Sequence, residues 1–147
     1  MRILTLELER AYAAGQVPRD RSLAAAGAVA SRYLAVGTPR SFGVIGDDSG
    51  ASLAAHRTWF DVDRCEIRRG ADALAADIVC IHAPLALAAA QLRRGTHVNA
   101  LAPVTLDAEL LAIARIVDEA RDLPRIVRGL VDGRELDEIS IFVADLT

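Results

Sequence analysis

The chain contains no lysine; all 17 of its basic residues are arginine. Schiff-base chemistry, and every mechanism that needs a lysine as acid or base, is thereby excluded. Aromatic side chains make up only 4% of the 147 residues, set beside a hydrophobic share of 52%. The core must be built from Ala, Leu, Val and Ile, a composition suited to helices lying close on a parallel sheet. Cysteine is almost absent too: Cys65 and Cys80 each sit in an apolar, strand-like run with no CxxC or Cys/His cluster beside them. They read as buried structural thiols in a reducing cytoplasm, and no metal site is expected. No run approaches the ~18 apolar residues of a membrane span. The opening "MRILTLELERAYAAG" is too charged for the apolar part of a signal peptide, so a cytoplasmic location is the expectation. Net charge is −3 with no long basic run. Neither nucleic acid nor a membrane is expected as a partner.

What is present is an alternation of short apolar runs and Ala-rich amphipathic ones. The segment "RSLAAAGAVASRYLAVG" predicts a long helix ended by Gly37 and Pro39, after a shorter helix in "LTLELERAYAAG". Strands are expected in "SFGVIG", "RCEIR", "DIVCIHA", "THVNAL", "RIVDEA" and "EISIFVA". Between them, "SGASLAAHRTWF", "LALAAAQLRR", "DAELLAIA" with Asp107 as its cap, and "LPRIVRGLVDG" predict helices, and "ADALAA" a short helical turn. The fold class that follows is α/β: a reduced Rossmann-like, doubly wound, mostly parallel sheet with helices on both faces. Residues 21–147 form the Rossmann-like domain, and residues 1–20 an N-terminal segment before it.

The stretch Phe42 to His56, "FGVIGDDSGASLAAH", carries the sharpest chemical signal. A strand running into glycine and then a helix is how α/β oxidoreductases begin a dinucleotide site: one glycine for the bend, a second for close approach to the pyrophosphate, a third small residue for packing. Gly46 fills the first place and Ala51 the third, but Asp48 stands in the second. A carboxylate ~4 Å from a phosphate charge, at an effective dielectric of ~20, costs about 4 kcal/mol if nothing compensates. The local alternative is that Asp47, Asp48 or Ser49 caps the following helix. Arg68 and Arg69 fall where such folds read the adenosine ribose, and His82 ends a strand at the carboxyl edge where open α/β sheets bind ligands. His97 reads as structural and His56 as a surface residue of its helix. Trp59 and Phe60 read as core. No three of the histidines and acids show metal spacing, and no serine has a nucleophile-elbow context.

Several segments together resemble the ornithine cyclodeaminase/mu-crystallin family. "AAAGAVASRYLA" looks like the family's helix leading into its nucleotide-binding domain, and "GVIGDDSGA" lies at its glycine-rich turn. "ADIVCIHAP" is similar to the strand ending in an Ala-Thr-Pro-like turn, "GTHVNALA" to its Gly-Thr-His-Val-Asn-Ala-Val-Gly segment, and "DEISIF" to its last strand. The resemblance implies a nucleotide-binding half without the substrate-binding, dimerising domain, of which residues 1–20 would be the remnant. It also implies catalytic parts that this chain lacks. The family lysine has no counterpart. The Arg-Thr pair falls on Ser22 and Leu23, with Arg21 one residue and so about 100° of helix away. "LAPVTLD" replaces the loop with the catalytic aspartate, and Asp107 reads as a helix cap.

The expectation is a non-catalytic binding protein with no catalytic residues, no metal and no cofactor. Its crevice is assigned to Gly46, Asp47, Asp48, Ser49, Arg68, His82 and Pro84. Its ligand is expected to be a peptide, an amino-acid-like molecule or a partner enzyme, in an accessory role in peptide or amino-acid secondary metabolism, and the chain is expected to be a homo-dimer. Two alternatives remain open: an NAD(P)-dependent cyclodeaminase-like oxidoreductase completed by a partner subunit, and an oligomerising structural subunit.

Overall fold

The computed structural model describes residues 23–35, 37–46, 50–118 and 139–143. The expected N-terminal helix and segment, the helix "LPRIVRGLVDG", and Asp47, Asp48 and Ser49 lie outside the described residues.

Helix α1 (Leu23–Leu34) presents Ala24, Ala25, Ala28, Val29, Ala30 and Leu34 to the interior, all buried. Small side chains at these positions let its axis lie close to the sheet. A chain reversal at Gly37, held at φ 62, leads into β1 (Ser41–Ile45). The sheet continues with β2 (Glu66–Arg69), β3 (Ile78–Ile81), β5 (His97–Ala100), β7 (Arg115–Asp118) and β8 (Ser140–Val143). Its six strands run in the order β2-β1-β3-β5-β8-β7. Every pairing is parallel. From β1 the chain goes to β2 on one side, then returns to β3 on the other. The order therefore reverses between β1 and β3, which makes that gap the topological switch point of the sheet.

Strand alternation divides the core into two layers. On one face, Phe42, Val44, Ile78 and Cys80 pack with Leu53 of α2 (Ala51–His56), and Phe142 packs with Val29, Ala30 and Leu34 of α1. On the other face, Val79, Ile81, Val98, Ala100 and Ile141 pack with Leu87, Leu92 and Leu110. Helices thus contribute to both faces, α1 and α2 to the first and α3 (Ala108–Ile113) to the second. Asp107 caps α3 as expected, its carboxylate accepting from the Leu110 N–H at 2.8 Å.

The second face departs from the sequence expectation. "LALAAAQLRR" is not a helix; it forms β4 (Leu85–Leu87) and a 3-10 turn at Ala89–Gln91. The reason is a non-local partner. β4 pairs in parallel with β6 (Val104–Leu106), and this small sheet buries Leu87 while Ala86 faces out. Within "LAPVTLD", Val104–Leu106 is thereby a strand, and the Pro103 carbonyl accepts from the Leu85 N–H at 3.2 Å. Helix α2 is also shorter than "SGASLAAHRTWF" predicts, spanning six residues. It ends in tight turns in which Thr58 and Trp59 donate to the Ala55 and His56 carbonyls at 3.2 and 3.0 Å.

After β2, the segment Gly70–Ala75 forms a 3-10 turn that rests directly on β1. A methyl group at Gly43 would run into the Ala73 carbonyl and lie 2.9 Å from its Cα. Backbone meets backbone there, so nothing flexible can yield. Gly43→Ala is expected to destabilise the fold by about 3 kcal/mol or more through overpacking. A urea melt of the variant beside the parent checks it.

Candidate functional site

At the switch point, β1 ends in Gly46 and β3 runs on into His82, Ala83 and Pro84. Gly46 sits at φ 87, a left-handed conformation that glycine adopts without strain. A Cβ there would lie 2.9 Å from the His82 carbonyl carbon and 3.0 Å from the Ala83 N and Cβ. Gly46 is thus needed for the bend and for the close approach of β3. The β1–β3 ladder continues to this point, with His82 N–H donating to the Ile45 carbonyl at 2.7 Å. Pro84 is exposed at the rim, where the chain leaves for β4.

The structure brings Gly46, His82 and Pro84 together at the carboxyl edge. It does not bring Arg68 to them. The Arg68 guanidinium turns back along its own strand, with Nε 3.1 Å and Nη2 3.2 Å from the Glu66 carboxylate. Its Nη1 donates to the Ala75 carbonyl at 3.3 Å, three residues before β3 begins. The ion pair holds it toward the amino ends of the strands. Asp47, Asp48 and Ser49, next in sequence to Gly46, lie outside the described residues.

His82 opens onto a buried polar seam that sequence reasoning missed. Its Nε2 lies 2.7 Å from Ser52 Oγ in the first turn of α2. One turn on, His56 Nδ1 lies 2.7 Å from the Ser52 carbonyl, and His56 Nε2 lies 2.8 Å from Ser31 Oγ on α1. Asn99 Nδ2 donates to Ser31 Oγ at 2.8 Å, and Asn99 Oδ1 lies 2.8 Å from His97 Nε2. His97 Nδ1 closes the seam on Ser140 Oγ at 2.8 Å. All three histidines of the chain belong to it. His56 is therefore not a surface residue; it is fully buried, edge-on to Phe42 and stacked on Phe60. The signal was available in α2, where Ser52, Leu53, Ala55 and His56 form one buried stripe at helical spacing.

The partners assign the tautomers. A carbonyl can only accept, so His56 carries its proton on Nδ1; its Nε2 accepts from the Ser31 hydroxyl at 2.8 Å, whose one proton also faces the Gly27 carbonyl at 3.0 Å. The amide orientation of Asn99 puts the His97 proton on Nε2, and Ser140 donates to Nδ1. From Ser140 to the Ser52 carbonyl every bond then points the same way, an arrangement in which each bond polarises the next. The seam crosses an amide side chain and a backbone carbonyl, so it is a structural chain of hydrogen bonds and no relay of protons.

A cavity of about 680 Å³ opens at the opposite, amino-end edge, between Gly37–Arg40 and Trp59–Cys65. Trp59 and Phe60, expected in the core, are half-buried and line it as well as packing inward. The Trp59 indole N–H is buried and has no hydrogen-bond partner among the described residues, and the Arg32 guanidinium lies over its ring at 4.2 Å. Cys65 is half-buried rather than buried, donates weakly to the Pro39 and Asp61 carbonyls, and forms no disulfide. Burial, then the nearby Asp61 and Asp77 carboxylates, push its thiol above the ordinary value. It stays protonated and unreactive. Among the described residues no cluster of His, Cys, Asp or Glu has the makings of a metal site, and no helix is long and apolar enough to cross a membrane.

No family model and no curated protein matches the chain. Among solved structures, it is similar to an archaeal alanine dehydrogenase dimer with bound NAD, at 24% identity and a TM-score of 0.60 over 83% of this chain and 57% of that one. It is also similar to the iminosuccinate reductase of Paracoccus denitrificans in complex with NAD+, at 21% identity and 0.58 over 83% and 56%. A lysine cyclodeaminase matches at 20% identity and 0.60 over 84% and 53%. The chain shares their fold. It is a Rossmann-like α/β fold, as theirs are. The chain spans little more than half the length of each of these structures.

Burial drives the His56 imidazole down from 6.5 to about 4, opposed by its bond to the Ser52 carbonyl and assisted by the nearby His82. In the fold it stays neutral while the unfolded chain takes up a proton. Stability therefore falls as pH drops from 6.5 toward 4, by up to about 3 kcal/mol from this group, and levels off below that. Imidazole 15N spectra are expected to show His56 neutral, with its proton on Nδ1, down to about pH 5. Urea melts across the window are expected to show the matching loss.

Proposed function

We propose that the chain is a non-catalytic binding protein whose switch-point crevice takes an amine-bearing ligand, such as an amino-acid-like molecule or the amino end of a peptide. A partner enzyme could present that group. The observation that carries this reading is the pairing of a formed glycine bend at Gly46 with a carboxylate at the next functional place, Asp48. A dinucleotide turn has a glycine at that place in its sequence; an aspartate in the same place carries negative charge, which attracts a cation and repels a pyrophosphate.

The residues present are a poor fit for NAD(P). Helix α2 has only six residues, so little macrodipole builds up at its start. Arg68, the candidate for a ribose phosphate, is held by Glu66 and the Ala75 carbonyl. The chain has no lysine, which removes one catalytic group of the family it resembles. His82 borders the crevice and is anchored to Ser52 at 2.7 Å, so it offers a positioned polar edge to a ligand. The setting we infer is an accessory step in peptide or amino-acid metabolism, with binding rather than turnover as the contribution.

A second reading has an observation in its favour. Gly46 keeps the bend of a dinucleotide site, and two neighbours in fold are bound to NAD. It makes the chain part of an NAD(P)-dependent oxidoreductase completed by a partner subunit.

Calorimetric titration separates the two. NADH and NADPH are expected to give no saturable heat up to millimolar concentration, and a screen of free amino acids and short peptides with free amino ends is expected to give binding that Asp48→Asn weakens. In Asp48→Gly, NADH binding is expected to rise by about tenfold or more if the carboxylate is the obstacle. Tight NADH binding by the parent chain would replace the first reading with the second.

A further inference from the structure

Among the described residues, β2 ends the sheet, and its outer edge has a self-complementary pattern. The Glu66 N–H donates inward to the Arg40 carbonyl at 2.9 Å, and β2 lies in register with β1 from Ser41↔Glu66 to Val44↔Arg69. In a strand the N–H and C=O of one residue point to the same side and alternate along the chain. Glu66 and Arg68 therefore bond inward, while Ile67 and Arg69 direct both backbone groups outward. The Ile67 side chain, at 38% exposure, is one of the large hydrophobic residues left in contact with solvent.

A two-fold axis normal to the sheet pairs an edge strand antiparallel with its own copy. Residues opposite each other then share a face only when the register is centred on a residue. Centred on Ile67, the pairing sets Ile67 against Ile67 of the second copy as a narrow pair that exchanges both N–H···O=C bonds. It sets Glu66 against Arg68 and Arg68 against Glu66 as wide pairs, in which side chains come closest; each guanidinium, already paired with the Glu66 of its own copy at 3.1 Å, then lies between two carboxylates, so the four charges alternate in one cluster. Arg69, exposed, falls opposite Cys65, and its N–H can reach the outward Cys65 carbonyl. Beside Cys65 lies Asp61, whose carbonyl accepts from the thiol at 3.4 Å and whose carboxylate, 66% exposed, is paired with the exposed Arg64 at 3.2 Å. Charge, hydrogen bonding and side-chain facing agree in this one register. A shift by two residues would bring Arg68 against Arg68 and lose the apolar contact.

The geometry points to a symmetric dimer in which two copies of this chain join β2 to β2 antiparallel about Ile67, merging two sheets into one. It goes beyond the proposed function and holds whatever occupies the switch-point crevice. The joined edge also pairs backbone groups that have no partner among the described residues and that would otherwise recruit other strands. The strand is short, and the contact lies below the ~1,200 Å² of standard interfaces. Association is therefore expected to depend visibly on concentration.

Sedimentation velocity of the full chain from micromolar to millimolar concentration is expected to show a reversible monomer–dimer equilibrium. Amide exchange is expected to show protection of the Ile67 N–H that rises with concentration. Glu66→Arg or Arg68→Glu alone is expected to weaken the dimer by about tenfold or more, since each places like charges opposite one another twice. The double variant E66R/R68E is expected to return to within about threefold of the parent. Ile67→Pro removes an outward N–H without touching the inward ladder and is expected to leave a monomer with an unchanged circular dichroism spectrum. A chain that stays monomeric at millimolar concentration would overturn the proposal. So would a dimer that Ile67→Pro leaves intact, or single charge reversals that the double variant fails to rescue.

Discussion

Asn99 is the side chain on which the packing of the first face turns. Its amide donates to Ser31 Oγ and, more weakly, toward Cys80 Sγ at 3.7 Å, while its oxygen takes the His97 proton. That geometry exists only because α1 lies almost against the sheet. Gly27 faces Asn99 so closely that a Cβ there would sit 3.3 Å from Asn99 Cγ. Small residues on the helix and a polar residue on the strand are therefore one device: the first permits the approach, and the second fixes the position. An apolar seam of the same volume could slide. A chain of directional bonds, each with one good geometry, cannot, because a displaced member would leave a buried group unpaired at about 1–3 kcal/mol.

The seam also connects the interior to the crevice. His82 borders the switch point, Ser52 ties it to α2, and the line continues through His56 and Ser31 to α1. A helix of six residues has little stability of its own. Here it is held by tertiary bonds at both turns and by the contact of Leu53 with Phe42 and Val44. The Gly46 bend and the His82 ring are thus set by the same structure that sets the core. The polar edge at the switch point is therefore oriented by the core itself, the preorganisation that the proposed binding role calls for.

The elements legible in the sequence were those whose signal is local. β1, β3, β5 and β8 are short apolar runs bounded by turn residues, and an all-parallel sheet buried on both faces leaves its strands reading that way. α1 announced itself by length and alanine content, and α3 by Asp107. Within the site, Gly46 and His82 were legible because the carboxyl ends of strands follow directly from the strand order. "LALAAAQLRR" was not. Its alanines and leucines favour a helix, and only the partner strand 104–106, some twenty residues away, makes β4 the better solution. Arg68 was placed by its position in the chain, yet Glu66 two residues earlier decides where its charge lies.

By itself the sequence determined the chemistry that is absent and the order of the layers. A chain without lysine cannot do lysine chemistry, and alternating apolar runs of these lengths commit to a parallel sheet. Both are properties of composition and period, which need no partner to be defined. Tertiary structure alone decided that three scattered histidines, three serines and one asparagine form a single line through the core. It also decided that one arginine faces away from the crevice and that, among the described residues, β2 ends the sheet. Each of these depends on which residues distant in the chain are brought within 3 Å, and hydrogen bonds fall off too steeply with distance and angle for spacing along the chain to foretell them.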